Sequence, residues 1–114
     1  FFHATAVFVT ADIMALELIR FCEDHGIRIP EQLSVVGFDG IKIGKALHPM
    51  LTTMEQDSAE KGKRAVKELF ALIKEESMHS PAERAERSEE NKFACKDIRL
   101  PARLFIGETV IKPD

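Results

Sequence analysis

Two short apolar runs separated by a helical pattern constrain the fold more than any other feature of this chain. The runs at residues 6–10 and 33–38 are rich in Val and Phe, which predicts strands buried on both faces. Asp12 can serve as the N-cap of a helix that ends before Gly26. The apolar stripe of that helix consists of Ala15, Leu18, Ile19 and Cys22. We therefore expect an α/β fold in which a right-handed helical crossover joins two parallel strands.

The second half of the chain continues with a third strand, a long helix and a last extended segment. Residues 51–56 alternate in polarity and contain two Thr, which predicts a short strand. Asp57, with Glu60 three residues later, gives a capping-box-like start to a helix over residues 57–74. One apolar stripe runs along this helix and consists of Ala59, Gly62, Ala65, Val66, Leu69 and Ile73. Residues 98–110 are predicted to be extended.

The stretch at residues 77–97 is mostly polar and charged, and we predict that it forms a surface insertion. Ser80 followed by Pro81, with Glu83 two residues later, is also a pattern that starts helices. A short solvated helix is therefore the alternative for this segment.

The acidic balance and the dispersed cysteines limit what the chain can bind. The net charge is −3 and the pI is about 5.8, whereas domains that grip phosphates usually carry a basic face, so we do not expect this segment itself to bind DNA.

Cys22 and Cys95 lack the short spacing of a zinc motif or disulfide framework, and two free thiols predict a cytoplasmic protein. No apolar run reaches membrane-spanning length, so no membrane partner is expected. Because the chain lacks an initiating Met, we expect the natural protein to continue upstream.

The sequence contains no recognisable catalytic or metal-binding constellation. The four histidines have no paired ligand spacing and lie in separate predicted elements: His3, His25, His48 and His79. No Ser-His-Asp set, Cys-His pair or phosphate-binding loop is visible. We therefore expect no enzyme activity, no catalytic residue, no cofactor and no metal site.

Polar residues at the predicted strand ends are the best candidates for ligand binding. Asp39 ends the second strand, where its carboxylate can accept two hydrogen bonds from sugar hydroxyls or a base edge, although Asp is also a common turn residue. Phe38 beside it is either a wall of the pocket or a core residue. The role of a helix cap explains Asp12 fully and is the favoured interpretation, with ligand binding as the alternative.

Four stretches, taken together and in order, resemble the LacI/GalR family of bacterial transcription regulators. They read AVFVTADIMAL at 6–16, GIRIPEQLSVVGFD at 26–39, PMLTTMEQ at 49–56 and LPARLFIGET at 100–109. The resemblance implies part of a type I periplasmic-binding-protein-like fold. Residues 1–56 would belong to its C-terminal lobe, residues 57–76 would form a helix of the N-terminal lobe, residues 77–97 would be an insertion, and residues 98–114 would return to the C-terminal lobe.

The same resemblance implies a function and site residues. A sugar or related metabolite would bind in the cleft between the lobes, contacted by Asp39, Phe38, Asp12 and Gln56, although Ala11 replaces a polar residue that often reaches the effector in this family. Leu16 and Leu47 match positions of the homodimer interface. Operator DNA would be bound only by an N-terminal headpiece that is absent from this chain. An exported solute-binding protein is the alternative function, and an α/β enzyme is a third, less supported class.

Overall fold

In a computed structural model of the protein, residues 4–78 and 97–112 of the 114 are described. The elements in chain order are β1 (Ala6–Phe8), α1 (Asp12–Asp24), β2 (Ser34–Asp39), a 3-10 turn (Lys42–Lys45), β3 (Thr52–Gln56), α2 (Ser58–Met78) and β4 (Ala102–Phe105). The chain divides into two compact units. The first, here called the sheet unit, contains residues 1–56 and 101–114, and the second contains residues 57–100.

The sheet unit is built on four strands in the order β1-β2-β3-β4. β1 pairs with β2 and β2 with β3 in parallel, while β4 runs antiparallel to β3. The predicted βαβ arrangement and the α/β class are therefore confirmed. The return of residues 101–114 adds one antiparallel strand to an otherwise parallel sheet.

The core lies between α1 and the sheet. Ala15 and Ile19 of α1 are buried together with Val35 of β2 and Leu51, which comes just before β3. α1 ends at Asp24, and Gly26 has a φ of 70°. The left-handed glycine predicted just after this helix is confirmed.

β1 is less buried than its sequence suggests. The prediction of a strand buried on both faces is wrong here, because Phe8 is 57% exposed and Ala6 is exposed as well. Among the strands of residues 4–78 and 97–112, β1 lies at the edge of the sheet and pairs with β2. Its alternate residue Val7 packs against the core, whereas Phe8 makes an edge-to-face contact with Phe38, their ring centroids 6.2 Å apart.

Asp12 begins α1, but it does not cap it. The N-cap residue is Ala11, which makes no side-chain capping bond, so the predicted cap at Asp12 is wrong. The Asp12 carboxylate instead accepts hydrogen bonds from the Thr53 hydroxyl at 2.5 Å and from the Ile41 N–H at 2.8 Å. These two donors are contributed by β3 and by the turn after β2, and buried donors of this kind need an acceptor.

The segment after β4 closes the amino ends of β2 and β3. Thr109 is fully buried; its backbone oxygen accepts the Val35 N–H at 2.8 Å, and its hydroxyl donates to the Val35 oxygen at 2.6 Å. The same hydroxyl accepts the Thr52 N–H at 2.9 Å. The carboxyl ends of the parallel strands lie at the opposite edge of the sheet.

In the second unit, α2 starts as predicted. The Asp57 carboxylate accepts the Glu60 N–H at 2.8 Å, which confirms the capping interaction. α2 extends to Met78 and has no buried residue; within its apolar stripe, Leu69 is 55% exposed. Neither helix in residues 4–78 and 97–112 combines the length and apolar character needed to span a membrane. Most of the predicted surface insertion, at residues 79–96, lies outside the described residues, as does Cys95.

Substitution of Gly37 tests how closely the Asp12 carboxylate packs against β2. A Cβ on residue 37 would lie 2.2 Å from Asp12 Oδ1, so Gly37→Ala should lower the free energy of unfolding by roughly 1–3 kcal/mol through overpacking. Gly62 of α2 is the matched control, because a Cβ there meets nothing within 4 Å. Gly62→Ala should raise the same free energy by up to about 1 kcal/mol. Urea denaturation of both variants measures the difference, and equal effects would contradict this packing.

Glu108 gives the fold a pH dependence with a defined sign. The Met50 N–H, followed by His48, donates to its carboxylate and lowers the pKa of Glu108 below the ordinary value of a glutamate. A lowered folded-state pKa adds stability above the unfolded-state pKa, about 4.3, and that stability is lost as the pH falls through the folded-state pKa. Urea midpoints recorded from neutral to acid pH should therefore fall less steeply in Glu108→Gln than in the wild type. Glu31→Gln, the same change at an exposed loop residue, is the control. If the urea midpoint of Glu31→Gln falls with pH as gently as that of Glu108→Gln, the Glu108 carboxylate is not the cause of the pH dependence.

Candidate functional site

The carboxyl ends of β2 and β3 bring two of the predicted ligand-binding residues together. Gln56 Nε2 donates a hydrogen bond to Asp39 Oδ1 at 3.0 Å, and both residues are partly exposed. In parallel α/β sheets this edge is where ligands bind. The pair presents carboxylate oxygens as acceptors next to an amide, which suits a small molecule with several hydroxyl groups.

Asp39 adopts an unusual backbone conformation. Its φ is 122°, and the next residue, Gly40, has a φ of 74°. A non-glycine residue in such a conformation costs about 1–3 kcal/mol, and such residues cluster at functional sites. Gly40 is also needed for space, since a Cβ at this position would lie 2.8 Å from the Cα of Glu55. The turn after β2 is therefore closely fitted to β3.

Asp12 lies behind this turn. It is fully buried, and both of its carboxylate oxygens already accept hydrogen bonds, from Thr53 and from Ile41. Thr53 in turn accepts the Gly40 N–H at 3.3 Å. The structure thus places Asp12, fully buried, in contact with the turn that carries Asp39.

An aromatic pair lies next to Asp39. Phe38 is half-buried and contacts Phe8, which ends β1. Sequence reasoning considered Phe38 but missed Phe8. The register between the strands could have revealed it, because Phe8 pairs with Val36 and its side chain therefore lies diagonally beside that of Phe38. The exposed face of Phe8 adds an apolar surface to the polar pair.

The sequence analysis also did not predict an ion pair between Lys45 and Glu55 of β3. Lys45 forms an ion pair with Glu55, the residue opposite Asp39 in the sheet register, and its Nζ lies 4.4 Å from the centroid of the Phe105 ring on β4. The ammonium group of Lys45 is therefore held next to the Glu55 carboxylate, one strand away from Asp39. No cluster of three His, Cys, Asp or Glu residues able to hold a metal ion occurs within residues 4–78 and 97–112.

Leu16 and Leu47, the predicted interface residues, line one groove. It lies between α1 and the segment at residues 43–49 and has a volume of about 550 Å³. Leu16 is partly buried and packs against the core, while Leu47 is 45% exposed. The apolar lining residues are Ile13, Leu16, Ile19, Ile43, Leu47 and Pro49, and four charged residues of α1 also line the groove.

Comparison with known proteins identifies the family. The sequence profile described as periplasmic binding protein-like domain matches residues 3–109. The HTH-type transcriptional repressor PurR of Pasteurella multocida (strain Pm70) is 42% identical over 73 residues, which is 64% of this chain and 22% of that protein. The chain therefore spans about a fifth of the length of this relative.

Solved structures show the same similarity in three dimensions. A LacI family transcriptional regulator from Enterococcus faecium with bound ribose superposes with a TM-score of 0.72 and 29% identity, covering 94% of this chain and 34% of that one. The lac repressor dimer bound to operator and the anti-inducer ONPF gives a TM-score of 0.71 and 27% identity, covering 95% and 32% of the two chains. This chain belongs to the periplasmic binding protein-like domain family, in the form that makes up the effector-binding region of LacI/GalR transcription regulators.

Proposed function

We propose that this chain is the effector-sensing and dimerisation portion of a LacI/GalR transcription regulator. The observation that carries the proposal is the pairing of Asp39 with Gln56 at the carboxyl ends of β2 and β3, with the strained backbone of Asp39 holding its carboxylate there. Residues with strain of this kind cluster at binding and catalytic sites. The family likeness supports an effector-binding function, without bearing on the position of the site.

The effector is a sugar or a related polyhydroxylated metabolite. The Asp39 oxygen that Gln56 does not contact can accept a hydroxyl hydrogen, and Phe8 and Phe38 supply the apolar surface that the C–H faces of a sugar need. A related solved structure carries ribose, which supports this class. The ligand lies in a cleft between two lobes, with the sheet unit contributing one wall.

The output is a change in operator binding by a headpiece outside this chain. The net charge of −3 agrees with a segment that senses rather than grips DNA. A regulator of this kind works in the cytoplasm. Effector binding alters operator affinity only if the two states of the protein make different contacts with the effector. The contact between two copies, at the groove lined by Leu16 and Leu47, is the element that transmits the change.

Binding of a sugar should depend on the Asp39 carboxylate. We expect D-ribose, D-glucose or sucrose to bind this chain weakly, with a dissociation constant on the order of millimolar, because one wall alone buries little of the ligand. Asp39→Asn should weaken binding by about tenfold or more, since a hydrogen bond to a charged group is lost. Saturation-transfer NMR of the sugar measures both values.

The control for this experiment is Glu31→Gln, the same carboxylate-to-amide change at an exposed loop residue. It should bind the sugar as the wild type does. Equal loss of binding in the two variants would remove Asp39 from the site. Sub-micromolar affinity of the wild type would contradict the two-walled cleft.

Association of two copies should depend on Leu47. Leu47→Asp places a charge in the groove, where a partner would have to desolvate it, so the variant should sediment as a monomer while keeping the circular dichroism of the wild type. Ile106→Asp is the control, because Ile106 is 73% exposed and does not line the groove. A Leu47→Asp protein that still sediments as a dimer would place the interface elsewhere.

A further inference from the structure

We propose that Asp12 and Thr53 are positioning residues: together they clamp the turn after β2 and thereby hold Asp39 in the conformation that presents its carboxylate to a ligand. The inference rests on the proposed function for the role of Asp39. Its geometric part, that the clamp sets the backbone of Asp39, can be tested without any ligand.

The clamp consists of three hydrogen bonds that converge on two buried side chains. The Thr53 hydroxyl donates to Asp12 Oδ1 at 2.5 Å and accepts the Gly40 N–H at 3.3 Å. Asp12 Oδ2 accepts the Ile41 N–H at 2.8 Å. The two amides that follow Asp39 are therefore both held by side chains from other elements, α1 and β3.

These bonds explain how Asp39 can keep a φ of 122°. Left to itself, this residue would relax toward the extended conformation of the rest of β2, since a positive φ is unfavourable for a side chain with a Cβ. Relaxation would pull the Gly40 and Ile41 amides away from their acceptors. The buried Asp12 carboxylate would then lose a donor, and a buried charge without its hydrogen bonds is costly. The strained backbone conformation of Asp39 and the hydrogen bonds of Asp12 therefore depend on each other.

The surrounding residues are fitted to the clamp. Gly37 lets the Asp12 carboxylate approach β2, because a Cβ there would lie 2.2 Å from Oδ1. Asp12 is also the first residue of α1, and Ile41 directly precedes the 3-10 turn at Lys42–Lys45. α1 forms one wall of the groove that contains Leu16 and Leu47, and Ile43 of the 3-10 turn contributes to the other wall. The clamp therefore joins the turn that carries Asp39 to both walls of that groove.

The test compares Thr53→Val, which replaces the hydroxyl by a methyl group of similar size, with Thr53→Ser, which keeps the hydroxyl. The NMR coupling between the amide and α protons of Asp39 is small at a φ near 120° and large in an extended strand. We expect a small coupling in the wild type and in Thr53→Ser, and a large one in Thr53→Val. Exchange of the Gly40 amide with solvent should be up to about tenfold faster in Thr53→Val, because this amide loses its acceptor, the Thr53 hydroxyl.

An unchanged Asp39 coupling in a folded Thr53→Val protein would overturn the proposal. If Thr53→Val does not fold, Asp12→Asn decides in its place, since it exchanges one of the two acceptor oxygens for a donor and should raise the same coupling. Binding of D-ribose should be weaker in Thr53→Val than in Thr53→Ser. If the wild type does not bind D-ribose, the proposed effector class fails, while the coupling measurements still decide whether the clamp positions Asp39.

Discussion

A buried carboxylate organises the sheet unit. Asp12 lies at the start of α1, fully out of contact with solvent, and is bonded to the Thr53 hydroxyl of β3 and to the turn after β2. A charge in such a place is tolerated only when it is fully hydrogen-bonded. The positions of α1, β3 and the turn are therefore interdependent, and Gly37 is the residue of β2 that leaves room for the carboxylate.

The polar groups at the two ends of the parallel strands are bonded in different ways. At the amino ends, Thr109 from the chain after β4 satisfies the backbone of Val35 and Thr52. At the carboxyl ends, Asp39 and Gln56 remain partly exposed, with their side chains bonded to each other. Because β4 runs antiparallel to β3, the segment that follows β4 reaches the amino ends of the parallel strands and not their carboxyl ends.

Local signals in the sequence were sufficient for the elements and for Asp39 at the end of β2, but not for the long-range contacts around it. The βαβ order, the glycine after α1 and the cap at Asp57 follow from patterns within a few residues, and the structure confirms them. The role of Asp12 could not be read in this way, because its partners lie 29 and 41 residues away along the chain. Ala6 and Phe8 are exposed because they lie on the face of β1 opposite Val7, which packs against the core, and a run of apolar residues does not encode which face is covered.

The most direct test of the central claim, that this family member binds its effector at the carboxyl ends of β2 and β3, is to map sugar binding on the chain itself. Backbone amide spectra recorded during a titration with D-ribose, D-glucose or sucrose report which residues contact the sugar. The account predicts that the shifted amides cluster at residues 38–41 and 55–56. Shifts confined to other parts of the sheet unit, or none with any of these sugars, would contradict it.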